Sequence, residues 1–323
     1  MKILITYTGG TIGMMPSALG LAPSRDFVPF LETLLQDAMP QHDVDILSYE
    51  RLIDSSNVTP RDWCRIGLDI DQRWDQYDAF IILHGTDTMA YTAAALHTLF
   101  QHRHKPIIVT GSQVPFSQTP SDAEGNLLGS IKAATYPFYG VYLYFDGLLI
   151  DGDRAHKSHT KEWRAFSSIN HPVRAELTEQ GNWHQTVQPA PALLKPINTP
   201  KTIDESAVTL LPVYPGVTAD HWQGLLGESV KGAILLSYGA GNIPDQNIEL
   251  IDTIQAAIAR GVTIINVSQC SNGCVDSSTY AAGSALIKAG VISGKDMTYE
   301  AAFAKLSLMI GVGLVSDEIK RRW

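Results

Sequence analysis

The sequence predicts an α/β protein with a larger N-terminal parallel-sheet domain carrying helices on both faces, a linker, and a smaller C-terminal α/β domain. Three observations carry this expectation. Short apolar runs alternate with helix-length segments along the first half of the chain, a proline-dense tract without periodicity follows, and the alternation then resumes. The expected boundaries are 1–185 for the first domain, 186–205 for the linker and 206–323 for the second domain.

In the first domain, strands are expected at residues 3–6, 44–47, 79–83, 107–110 and 141–145, where β-branched and aromatic residues cluster. Residues 28–38 have helical periodicity. A second helix starts at Thr59-Pro60-Arg61-Asp62, with a cap residue, proline in the first turn and an early carboxylate. Residues 88–100 and 122–134 are rich in Ala and Leu and follow polar capping residues, so they read as crossover helices. After the linker, strands are expected at 208–213, 233–236 and 262–267, and helices at 247–260, 277–289 and 298–321.

Composition excludes several function classes. The 323 residues carry 24 basic and 33 acidic side chains, a net charge of −9, with no basic patch beyond a short Lys-Arg-Arg near the end. Nucleic acid is therefore not an expected partner. No apolar run is long enough for a membrane span and no secretory leader is visible, so a cytoplasmic protein is expected. Cys64, Cys270 and Cys274 are too few for a disulfide framework, and Cys270 with Cys274 lacks a second cluster to complete a metal site. No cofactor or metal is expected.

The polar residues fall where an open parallel sheet collects ligands, beyond the carboxyl ends of its strands. The first strand ends in YTGGT, the second in SYERLIDSSN, the third in HGTDT and the fourth in GSQ. Glycines after a first strand invite a nucleotide reading. GGTIG nevertheless matches neither the dinucleotide fingerprint nor the phosphate loop, and no lysine follows it. The other reading is that the loop presents a hydroxyl, Thr11. A threonine hydroxyl is a poor nucleophile until its proton has somewhere to go. Thr86 and Asp87 of HGTDT offer a second hydroxyl and a carboxylate, and Lys157 in DGDRAHKSH offers an amine; spacing alone does not single Lys157 out from the other lysines.

TGGTI and HGTDT resemble the two signature motifs of the bacterial-type L-asparaginases, and DSSNVTP, VTGSQVP, RAHKSH, SYGAGN and SQC resemble further runs of the cytosolic, type I members. The resemblance covers the whole chain. It implies an amidohydrolase that converts L-asparagine to L-aspartate and ammonia through a threonine acyl-enzyme. Thr11, Thr86, Asp87 and Lys157 are the catalytic residues it implies. Ser55 and Asp87 would grip the α-carboxylate and α-amino group, with Asp54, Ser56 and Thr86 alongside, and the Ser112 carbonyl would face the leaving amine. Asn242 would reach a neighbouring subunit's pocket in a homodimer or homotetramer.

One position departs from that pattern. Family lids carry a tyrosine after TGGTI, whereas GLAP here has Leu21, and the nearest tyrosine is Tyr7. Two other readings stay open at this stage: a glutaminase-asparaginase or related amidase on the same scaffold, and a non-catalytic sensor that binds aspartate or asparagine. The amidase that feeds ammonia to transfer-RNA amidation carries an extra N-terminal domain, whereas residue 3 here already lies in the first strand.

Overall fold

The computed structural model describes residues 1–18, 20–186, 196–276 and 281–323, with side chains from 285 onward in the last stretch. Two compact units divide the chain, Met1–Pro196 and Ile197–Trp323. Residues 187–195 of the expected linker and 277–280 of the helix expected over 277–289 lie outside the described residues.

The first unit is built on β1 (Lys2–Gly9), whose apolar residues are buried on both faces, as a central parallel strand requires. A short hairpin follows, β2 (Met14–Ser17) with β3 (Gly20–Pro23), then α1 (Phe27–Ala38), β4 (Asp43–Ile53), α2 (Pro60–Arg73), β5 (Ala79–Leu83), α3 (Met89–Phe100), β6 (Pro106–Thr110), α4 (Ala123–Ala134) and β7 (Gly140–Phe145). The strands β4, β1, β5, β6 and β7 lie side by side in that order, all parallel. All five expected strands and all four expected helices of this unit are present.

The sheet is mixed beyond β7. Three short strands, β8 (Leu148–Asp151), β11 (Ala175–Leu177) and β12 (Trp183–Gln185), extend it antiparallel, and between them β9 (Ala155–Lys157) and β10 (Phe166–Ser168) form a separate ribbon. Buried Arg174 grips Asp151 with Nη2 at 2.7 and 3.0 Å at this end. The core on one face joins Ile3, Ile5, Tyr7 and Phe27 to Leu127, Ile131 and Tyr144.

The second unit has a parallel sheet of β13 (Val208–Pro212), β14 (Gly232–Ser237), β15 (Thr263–Ser268) and β16 (Ile292–Ser293). Helices α5 (Ala219–Leu225), α6 (Ile248–Ala259), α7 (Ala281–Ala289), α8 (Tyr299–Gly311) and α9 (Ser316–Arg322) accompany it. The single helix expected over 298–321 is two helices. Gly313 adopts φ 83°, a left-handed conformation that ends α8 as a glycine after a helix commonly does.

Candidate active site

The carboxyl ends of β1, β4 and β5 are held together by contacts that only glycine permits. A Cβ on Gly9 would lie 2.3 Å from the Ile53 carbonyl oxygen, and one on Gly10, whose φ is +82°, would lie 2.3 Å from the Gly85 nitrogen. A Cβ on Gly85 would in turn lie 2.5 Å from Ser55 Oγ. The Gly10 amide donates to Ile53 O at 3.1 Å. The glycines of GGTIG therefore serve close backbone approach. Thr11 follows Gly10 and Thr86 follows Gly85, so the two hydroxyl-bearing residues flank one glycine contact. Thr11 is half-buried in a short 3-10 turn, Thr11–Gly13, and its hydroxyl has no hydrogen-bond partner among the described residues.

Lys157 closes this group from a distant part of the chain. Its backbone is fixed by the β9–β10 ribbon, where Lys157 pairs with Phe166, and the Phe166 ring packs on Phe145 at 5.1 Å between centroids. From there Nζ donates to Thr86 Oγ1 at 2.8 Å and to Asp87 Oδ1 at 2.7 Å. The ammonium is mostly enclosed, at 20% exposure, while Asp87 is 59% exposed. Amine, hydroxyl and carboxylate thus form one chain of charge-assisted hydrogen bonds.

The DSS run sits on the other side of the Gly85 loop. Ser55 is buried and its Oγ accepts from the Asp87 amide at 3.2 Å, which leaves its own hydrogen available; Thr88 Oγ1 donates to the Ser55 carbonyl at 2.7 Å. Asp54 and Ser56 are exposed, and the Asp54 carboxylate accepts from the Ser56 amide at 3.2 Å. Ser112 is fully buried beyond β6, and its hydroxyl has no partner among the described residues. Asn242 belongs to the second unit, where its amide donates to Tyr238 O at 2.8 Å and its carbonyl accepts from the Tyr238 amide at 2.9 Å.

Tyr7 does not supply a lid hydroxyl. It is buried, its hydroxyl donates to Ser24 O at 3.3 Å, and its ring meets Phe27 edge-on at 5.3 Å. Burial pushes its pKa up. Leu21 lies on the β2–β3 hairpin, paired with Pro16 and 40% exposed.

Three residues of the rim had no place in the sequence reading. His84 is wholly buried; Nδ1 approaches Gly85 O at 2.7 Å and Nε2 approaches Thr92 Oγ1 at 3.0 Å, and desolvation lowers its pKa. Gln113 meets Thr86, whose Oγ1 donates to Gln113 Oε1 at 3.2 Å. Asp122 gathers the amides of Gln113 and Val114 and the side chain of Asn126 at 2.9 to 3.1 Å. The signal for Gln113 was its position beside Ser112 in a rim loop. Asp122 read simply as the first residue of the helix expected over 122–134. Among the described residues no group of three or more His, Cys, Asp or Glu is arranged to hold a metal ion.

The geometry can be set beside known proteins. The family model "Asparaginase, N-terminal" matches residues 2–189, and "Glutaminase/Asparaginase C-terminal domain" matches residues 207–322. L-asparaginase 1 of Escherichia coli is 40% identical over 332 residues, covering 99% of this chain and 95% of that protein. The structure of L-asparaginase I from Vibrio cholerae superposes with a TM-score of 0.85 at 40% identity, covering 99% and 95% of the two chains. That of the thermostable L-asparaginase from Thermococcus kodakarensis gives 0.88 at 30% identity, covering 99% and 96%. With both domain models matched and full-length relatives at this identity, the chain belongs to the asparaginase family.

Proposed function

We propose that this protein hydrolyses L-asparagine to L-aspartate and ammonia through an ester on Thr11. The observation that carries the reading is the Lys157 amine bridging Thr86 and Asp87 beside the glycine contact that flanks Thr11. Full-length relatives named L-asparaginase support the same substrate.

In this mechanism Thr11 Oγ attacks the side-chain carboxamide carbon while its proton passes toward the leaving nitrogen. The C–N bond breaks, ammonia departs and an acyl ester remains. Water, held by Thr86 with Lys157 and Asp87 behind it, then adds to the ester and gives its proton to the Thr11 oxygen; the ester C–O bond breaks and aspartate leaves as the Thr11 hydroxyl reforms. Main-chain amides of the glycine-rich loops are suited to hold the developing oxyanion.

A zwitterionic amino acid brings two charges that need partners, because burying either one unpaired costs several kcal/mol. Asp87 is suited to the ammonium: Lys157 binds one of its oxygens, and the second accepts from no described residue. Ser55 has a hydroxyl hydrogen to donate to the carboxylate, with Asp54 and Ser56 beside it. Ser112 would face the departing amine, and Asn242 would complete a neighbouring subunit's pocket in a homodimer or homotetramer. A cytoplasmic setting is supported by the three cysteines, all of them free thiols.

The test is ammonia release from L-asparagine, glutamine and D-asparagine by purified protein and by Thr11→Ala. The expected result is turnover of L-asparagine that falls by on the order of 10³-fold or more in the variant, with an unchanged circular dichroism spectrum. Undiminished turnover in Thr11→Ala removes the proposed nucleophile. Tight aspartate binding without ammonia release from any amide replaces catalysis with a binding role.

A further inference from the structure

We propose that Gln113 is a positioning residue that fixes the hydroxyl of Thr86 and ties the loop after Lys157 to it; the proposal rests on the hydrolytic reading above. Its side chain touches one member of the relay and the loop that follows another. Oε1 accepts from Thr86 Oγ1 at 3.2 Å, and Nε2 donates to the Glu162 carbonyl at 3.2 Å. Glu162 lies in the connection between β9, which ends at Lys157, and β10.

The orientation of the amide follows from its partners. A main-chain carbonyl can only accept, so the NH₂ end must face Glu162 and the oxygen must face Thr86. Thr86 Oγ1 already accepts from the Lys157 ammonium at 2.8 Å, so its own hydrogen is the one that goes to Gln113. A hydroxyl has one hydrogen and two lone pairs. With one lone pair taken by Lys157 and the hydrogen taken by Gln113, Thr86 retains a single lone pair with which to accept a hydrogen bond from the attacking water. Gln113 thereby converts a free rotor into an acceptor with one direction.

Gln113 is itself held hard. Its amide and that of Val114 donate to the Asp122 carboxylate at 2.9 to 3.1 Å, and Asn126 Nδ2 bridges Asp122 Oδ2 and Gly111 O at 3.0 Å each. The loop after β6 is therefore wrapped around the first turn of α4, and the Gln113 side chain is the part of it that reaches the relay.

The experiment compares Gln113→Met, which keeps the length and removes both polar ends, with Gln113→Glu, which keeps the acceptor toward Thr86. For Gln113→Met, kcat on L-asparagine should fall by about tenfold or more, a share of the ~10² to 10⁴ that a positioned proton-transfer group contributes, while KM stays within about twofold. Gln113→Glu should recover most of kcat at high pH and lose it as pH falls, because the protonated carboxyl can donate to Thr86 and turn its hydrogen away. The variant's profile should therefore carry an acid limb in addition to whatever limbs wild type shows. Two results overturn the proposal: kcat within about twofold of wild type in Gln113→Met, or equal, pH-independent losses in both variants with a lowered melting temperature, the mark of a structural role. Hydrogen exchange without substrate reads the tether separately. The amides of Ser158 and His159, which donate to Ala165 O, should exchange faster in Gln113→Met, and unchanged exchange removes the tether. If wild type itself releases no ammonia, the substrate reading fails while the exchange measurement still decides the tether.

Discussion

The two units present the same kind of rim, the carboxyl ends of parallel strands followed by loops rich in Ser, Asn, Gln and Gly, yet their polar side chains do different things. In the second unit they bind backbone. Gln269 Nε2 donates to the carbonyls of Val213 and Leu236 at 2.6 Å each, Ser268 Oγ to Gly239 O at 2.6 Å, Asn266 Nδ2 to Gly241 O at 3.1 Å and Ser237 Oγ to Val267 O at 3.3 Å. In the first unit some also serve carbonyls, as Thr88 does for Ser55, but one group binds its own members: Lys157 to Thr86 and Asp87, and Thr86 to Gln113. Side chains that satisfy carbonyls stabilise loops. Side chains whose hydrogens and charges are mutually held, with a half-buried hydroxyl nearby, are the ones to which the proposed hydrolysis assigns its chemistry.

That contrast is broken or sharpened by substitution. The largest effect is expected from Lys157→Met, which should lower kcat by on the order of 10³-fold or more while leaving stability within about 1 kcal/mol, since the Asp87 carboxylate is 59% exposed and stays solvated without its partner. Its counterpart, Gln269→Met, should do the reverse: a loss of about 1 kcal/mol in denaturant unfolding, as the Val213 carbonyl loses its side-chain donor and Leu236 O keeps only the Val213 amide, with the hydrolytic pH profile unchanged. A stability loss in the first and an altered pH profile in the second would dissolve the distinction.

A smaller effect concerns a backbone-serving residue beneath the first rim. His84 is wholly buried and its pKa is lowered from 6.5. The unfolded chain therefore takes up the proton first, so stability present above about pH 6.5 is lost as pH falls below it, by at most about 1.4 kcal/mol per pH unit. Unfolding measured at pH 7 and pH 5 should show a shallower pH dependence in His84→Gln than in wild type. The smallest effect is on thiol reactivity. Cys270 and Cys274 in the second rim are exposed, whereas burial pushes Cys64 up to about 11. At pH 8 a thiol reagent should label two cysteines promptly and the third only on unfolding.

Much of the fold was legible because β-branched apolar runs and Ala-rich helices are local signals. The five parallel strands of the first sheet stand where the alternation put them. What local pattern could not give were strands of three or four residues, such as Ala175–Leu177 and Trp183–Gln185, whose existence depends on a neighbouring edge to pair with. The split at Gly313 was hidden because helical periodicity continues on either side of it. At the site, rim placement made Thr11, Thr86 and Asp87 visible, while Lys157 lies 71 residues from Thr86 and was singled out only through the family resemblance. Gln113 escaped because an amide carries no charge to draw attention. Its importance depends on a loop shape that Asp122 imposes from nine residues away.

The face-to-face approach of Gly10 and Gly85 has a consequence for anyone wishing to alter the substrate range. Neither position has room for a methyl group: at Gly10 the nearest neighbour is the Gly85 backbone and the dihedral is foreign to L-residues, and at Gly85 it is the Ser55 side chain, with the Gly10 backbone behind it. Libraries aimed at these loops will return dead clones. Variation has room in the β2–β3 hairpin, where Leu21 is exposed and a Cβ on Gly20 would meet nothing within 4 Å.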